Sequence, residues 1–75
     1  MESYEFLIKF SEYVNSEYVK FYKSKYDFAI ACNVDEKTIR RVLKAEQNIS
    51  FKILINICSA LNTKPSIVFG IVENL

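Results

Sequence analysis

Residues 24–44 read SKYDFAIACNVDEKTIRRVLK, and two short helices joined by a sharp turn account for this stretch. Ser24 supplies a capping hydroxyl and Asp27 an acid in the first turn of a helix that buries Phe28, Ala29 and Cys32. Asn33 tolerates the left-handed conformation better than any residue except Gly, so it can close this helix and turn the chain. Asp35 then offers a carboxylate N-cap, with Thr38 three residues on, to a second helix that buries Ile39, Val42 and Leu43. Ala29 is small where the two helices approach each other, and a larger side chain there pushes them apart. Ile39 and Val42 fall six and nine residues after Asn33, on the face that returns to the core. That leaves Glu36, Lys37, Arg40, Arg41 and Lys44 outward, a helix-turn-helix layout over about residues 25–44.

The flanking sequence is helical as well. Leu7, Phe10, Val14 and Phe21 recur at near-helical spacing with Phe6 and Tyr13 beside them, which predicts a first helix with a broad apolar stripe. Residues 1–9 form its N-terminal extension. Asn15 and Ser16 are weak helix formers that could break this helix or cap a second segment. Beyond the basic stretch, Glu46 to Ile49 lapse into a polar loop, and Ser50 caps an apolar helix from about Phe51 to Leu61 that buries Leu54, Ile57, Cys58 and Leu61. Asn62 and Thr63 stop it. Pro65 suits a first helical turn, and Ile67, Val68, Phe69, Ile71 and Val72 make a last short helix. The expectation is an all-α chain, a single compact domain of five helices over residues 1–75.

Composition agrees with this and excludes much else. Seventy-five residues allow one domain, and one Gly and one Pro are too few for the turns of an all-β chain. Hydrophobic residues at 51% and charged ones at 25% belong to a folding sequence, with five Tyr and six Phe to fill a small core economically. No apolar run reaches the ~20 residues of a bilayer span, and the N-terminus lacks the basic and apolar regions of a signal peptide, so a cytoplasmic chain is expected. Cys32 and Cys58 sit in apolar stretches with no CxxC and no His in the chain, which reads as two reduced core thiols and no metal site. Without His, GxSxG, a P-loop or GxGxxG, the commonest routes to catalysis and nucleotide binding are missing. No enzyme activity, cofactor or small-molecule substrate is expected.

Charge is polarised along the chain although it sums to +1. From Met1 to Val19, Glu2, Glu5, Glu12 and Glu17 face only Lys9, a net −3. Between Lys20 and Lys44, seven basic residues stand against Asp27, Asp35 and Glu36, a net +4 in one third of the chain. A clustered basic segment on a near-neutral molecule is the footprint of a phosphate-binding face, and charge alone does not separate it from a solvated lysine-rich surface. The helix-turn-helix spacing favours the first.

The stretch resembles the DNA-binding domains of the phage repressor and Cro family, the Xre-like helix-turn-helix proteins. Their Ser-x-x-x-Leu-Ala-x-x-x-Gly-Val pattern is matched by Ser24 to Val34, with Phe28 for Leu and Asn33 for Gly. The polar loop and apolar helix that follow in the family are echoed by KAEQNISFKILINICSALN (residues 44–62), and the closing helix by PSIVFG (residues 65–70). Leu43 and Ala45 replace the usual Glu and Gly, Lys23 falls where an apolar residue is common, and base-reading glutamines are absent. The resemblance covers roughly Phe10 to Gly70. It implies a repressor-like domain in which Glu36, Lys37 and Arg41 hold base-contact positions, and Lys25 a phosphate or outer-base position.

A helix exposing Lys37, Arg40, Arg41 and Lys44 can enter a major groove, where Arg or Lys bridges the two acceptors on a guanine edge. The expected contact set to double-stranded DNA is Lys25, Glu36, Lys37, Thr38, Arg40, Arg41 and Lys44, in a small transcriptional regulator. Glu36 is repelled by phosphates unless it accepts from a cytosine or folds back onto Lys37 or Arg40. A protein–protein module on the same fold, such as an anti-repressor or adaptor, is the alternative, supported by the acidic, aromatic N-terminus. One domain presents one such helix, so a symmetric homodimer is expected on DNA. Ile67, Val68, Phe69, Ile71, Val72 and Leu75 carry more apolar surface than one buried stripe uses and are its expected interface, with the N-terminal helix as second candidate and absorption of all six into the core as the competing outcome.

Overall fold

Five α-helices and no strands make up the described residues of the computed structural model, which are 3–46 and 48–73. They are α1 (Ser3–Phe21), α2 (Lys25–Cys32), α3 (Glu36–Leu43), α4 (Phe51–Ala60) and α5 (Pro65–Glu73). The radius of gyration, 11.1 Å, is the ~11 Å expected of a compact domain of this length. No single helix among the described residues is long and apolar enough to cross a membrane.

Helix ends follow the capping chemistry. Ser24, Asp35 and Ser50 are the N-caps of α2, α3 and α4, each side chain accepting from the main-chain N–H three residues on. Asn33 has φ 57° and ψ 41°, and its N–H closes the end of α2. Ala45 and Asn62 are left-handed too, after α3 and α4, with φ of 56° each. Asn accepts this conformation at modest cost; Ala has no side-chain group to compensate for its Cβ clash.

The core is one cluster drawn from all five helices. Phe10 and Val14 of α1 meet Phe28, Ala29 and Cys32 of α2, Ile39, Val42 and Leu43 of α3, Leu54, Ile57 and Cys58 of α4, and Val68 and Val72 of α5. α2 packs against both α3 and α4, and α1 against α3 and α5. Both cysteines are free and buried, and burial pushes the Cys32 thiol up to about 12 and the Cys58 thiol upward.

The continuity of α1, open from sequence, is answered by a single helix through Asn15 and Ser16, whose Asn15 amide donates to the carbonyls of Ser11 (2.9 Å) and Leu43 (2.8 Å); two other expectations need adjustment. Phe21 does not belong to the apolar stripe: it is 58% exposed, and Tyr18 is the buried residue at that end of α1. Tyr18 lies one turn after Val14, and its ring stacks on Phe28 at 5.2 Å. Phe21 is the last residue of α1, and its ring is in solvent. Tyr22 completes this corner, its ring against Phe28 and its hydroxyl donating to the Ala60 carbonyl at 2.7 Å. Lastly, Val68 and Val72, expected at a dimer surface, are core residues of the single chain. They lie one turn apart on the inward face of α5 and are fully buried. Ile67, Phe69 and Ile71 remain exposed, Phe69 leaning on Phe6 with ring centroids 5.2 Å apart, and Leu75 lies outside the described residues. Phe6 thereby makes residues 3–9 an integral part of the domain.

Glu5 and Glu12 are exposed on the outward side of α1, with Ile8 and Val19. On α1, Glu5 pairs with Lys9 at 3.4 Å and Glu17 with Lys20 at 2.8 Å, and the outer face of α3 is basic.

Candidate nucleic-acid interface

α3 is strongly two-sided: Ile39, Val42 and Leu43 are buried, and everything else it carries is polar. Its start is fixed by Asp35, which accepts from the Thr38 main-chain N–H (3.0 Å) and the Thr38 hydroxyl (2.7 Å). The Thr38 bonds hold the Asp35 carboxyl below its ordinary range, with a smaller contribution from Lys37. The Thr38 hydroxyl proton is therefore engaged within the cap, and its oxygen offers an incoming ligand only acceptor capacity.

The position of Glu36 answers the ambiguity left by the sequence. Its carboxylate folds back on Arg40 one turn later, accepting from the guanidinium Nε at 2.9 Å and also from Nη2. Glu36 and Arg40 thus neutralise each other on one flank. On the next flank Lys37, Arg41 and Lys44 follow at intervals of four and three, all exposed, and none makes an ion pair among the described residues. Lys25 stands apart from this row, half-buried at the first position of α2.

The far end of α3 is held from outside the helix. Its last carbonyl, that of Leu43, accepts from the Ser11 hydroxyl at 2.6 Å and from the Asn15 amide. Two α1 side chains thus occupy a helix-end acceptor that has no partner in its own helix.

A neighbouring element was missed in the sequence. A polar concavity of about 370 Å³ is lined by Asn33, Asp35 and Thr38 on one side and by Ser50, Lys52 and Asn56 of the α4 start on the other. It sets Lys52 beside the beginning of α3, fifteen or so residues from Lys37 in the chain. The one hint in the sequence is a lysine in the first turn of α4, where the helix dipole disfavours a cation.

Comparison with family models, curated proteins and solved structures gives no significant match.

Proposed function

We propose that this domain binds double-stranded DNA, with α2, the Asn33 turn and α3 acting as a helix-turn-helix whose second helix enters the major groove. The observation that carries this reading is the unpaired row of Lys37, Arg41 and Lys44 on the outer face of α3, from which the nearest acid, Glu36, is withdrawn by Arg40. Arg41 at the middle of the row is the base reader, because a guanidinium can bridge both acceptors on a guanine edge, worth ~1–3 kcal/mol of discrimination. Lys37 and Lys44 flank it as base or phosphate contacts, and Lys25 and Lys52 meet phosphates at the rim. Arg40 contributes only after breaking from Glu36. The role is that of a small cytoplasmic regulator of transcription, with its thiols kept reduced in the core.

Selection of bound duplexes from a random pool, repeated at two salt concentrations, tests the reading. A recovered consensus, with affinity falling at a slope of roughly 0.9 per phosphate neutralised, supports it. Absence of binding at low salt overturns it.

A protein-binding role on the same fold is the second reading. The observation favouring it is the exposure of Tyr26 and Ile30, one turn apart on the outer face of α2. Such a contact is insensitive to salt, so the same experiment separates the two.

A further inference from the structure

The chain bends by 95° from α4 to α5, and the open groove between the two helices has a volume of about 450 Å³. That falls within the ~300–1,000 Å³ of clefts that take small molecules. Ile55 of α4 and Ile67 of α5 line it from the two arms, 36% and 51% exposed. Ser59, Asn62, Thr63 and Lys64 line it near the vertex, where the chain passes from one helix to the other. The Thr63 side chain is engaged with the Tyr13 phenol, whereas those of Ser59 and Asn62 make no hydrogen bond among the described residues. Lys64 is the one charged residue along the groove, and it is in no ion pair among the described residues.

We propose that this groove binds a small organic monoanion, a compact branched aliphatic group carrying one carboxylate. The arms and the vertex suit the two halves of such a molecule. An apolar group between Ile55 and Ile67 takes exposed hydrocarbon of both out of water. A carboxylate at the vertex meets the Lys64 ammonium, with the Asn62 amide and the Ser59 hydroxyl as further donors. One lysine and no acid balance a single negative charge, and a second charge would be left without a partner. Two other grooves each lack one half of this arrangement. The concavity beside α3 sets Asp35 near its lysine, which counters the attraction for an anion, and the cleft lined by Phe6, Leu7, Ile49 and Leu54 has no charged residue to hold one. A free acid and the C-terminus of a peptide share the chemistry proposed. The inference does not rest on the nucleic-acid reading, since it involves neither α3 nor a phosphate.

Titration of the isotope-labelled chain with isocaproate, followed by amide NMR shifts, tests it. Shifts are expected at Ile55, Ser59, Asn62 and Ile67 but not at Lys37 or Arg41, with a Kd on the order of 1 mM for so small a ligand. Isocaproamide, which keeps the apolar group and loses the charge, binds about tenfold or more weakly, and Lys64→Met weakens isocaproate by a similar factor, as loss of a charge-assisted hydrogen bond does. Ile67→Ser weakens acid and amide alike. N-acetyl-alanyl-leucine carries the same branched group beside its carboxylate: tighter binding than isocaproate assigns the groove to a peptide C-terminus, and weaker binding assigns it to a free acid. Isocaproamide or inorganic phosphate binding as well as isocaproate, an unchanged affinity in Lys64→Met with its spectrum otherwise intact, or no shifts well above the expected Kd overturns the proposal.

Discussion

The hydroxyl of Ser11 donates to the main-chain carbonyl of Leu43 at 2.6 Å, across 32 residues of sequence, and is the buried polar contact that ties the first helix to the end of the basic one. Asn15 donates to the same oxygen from the next turn of α1. One acceptor with two donors is tolerant of losing either and intolerant of losing both. Ser11→Ala and Asn15→Ala are each expected to cost roughly 1 kcal/mol, and the double variant more than their sum, because only then is a buried carbonyl left unpaired. Urea unfolding of the three variants measures this; strictly additive losses contradict shared capping.

Arg41→Ala is expected to lose more affinity on the selected DNA site than on random duplex, by about 1–3 kcal/mol, as removal of a base contact does. Glu36→Gln releases Arg40 and is expected to tighten binding on both, with a salt slope steeper by about one phosphate. Filter binding or anisotropy titrations at several salt concentrations read both. Equal losses for Arg41→Ala on the two DNAs would make it a phosphate contact.

Ala29 is buried in the core on α2, the helix that packs against both α3 and α4. Ala29→Leu is expected to destabilise the fold by roughly 1–3 kcal/mol and to weaken DNA binding with it. An unchanged thermal transition would place Ala29 outside the crossing.

Ala45→Gly should stabilise. At φ 56° the alanine Cβ is strained, and Gly removes that at some cost in unfolded-chain entropy, for a net gain of about 1 kcal/mol. The gain for Asn33→Gly is smaller, since Asn suits the same conformation. Denaturant midpoints with unchanged slopes would establish the order.

Alkali should unfold the protein through Cys32. Burial favours its neutral thiol, so the stabilisation it brings is intact below the ordinary thiol value of 9.0 and is lost as pH rises toward about 12. Cys58 acts in the same direction. Urea midpoints measured between pH 7 and 10.5 are expected to fall more steeply for wild type than for Cys32→Ala. Parallel curves would remove the thiol from the account.

The sequence made the helices and caps legible because their signals are local. Ser24, Asp35 and Ser50 announce helix starts through their own side chains, and Asn33 a turn through its backbone tolerance. The rest depends on tertiary neighbours. The continuity of α1 at Asn15 stayed open because the partner that holds it, the Leu43 carbonyl, is 28 residues away. Phe21 was placed in the apolar stripe and Tyr18 not named, because spacing alone does not tell which side chains the neighbouring helices cover. Val68 and Val72 were grouped with Ile67 and Ile71 because composition alone does not tell the inner from the outer side of so apolar a helix. Within the candidate site, the basic row was visible from spacing of three and four, whereas Lys52 entered it only through the packing of α4 beside α3.

Two of the three described acids of α1 are held by lysines of the same helix, whereas Lys37, Arg41 and Lys44 on α3 are in no ion pair among the described residues, on a molecule 31 Å long that carries +1 in all. Positive charge is therefore concentrated on one side of a nearly neutral body. Near a polyanion this means alignment before attraction, and only at close range, since the ~8 Å screening length of physiological salt is a fraction of the molecule's own length. Under the proposed DNA-binding role, encounters with α3 forward are the ones this layout favours, so orientation is biased by the chain's own charge before any base is touched.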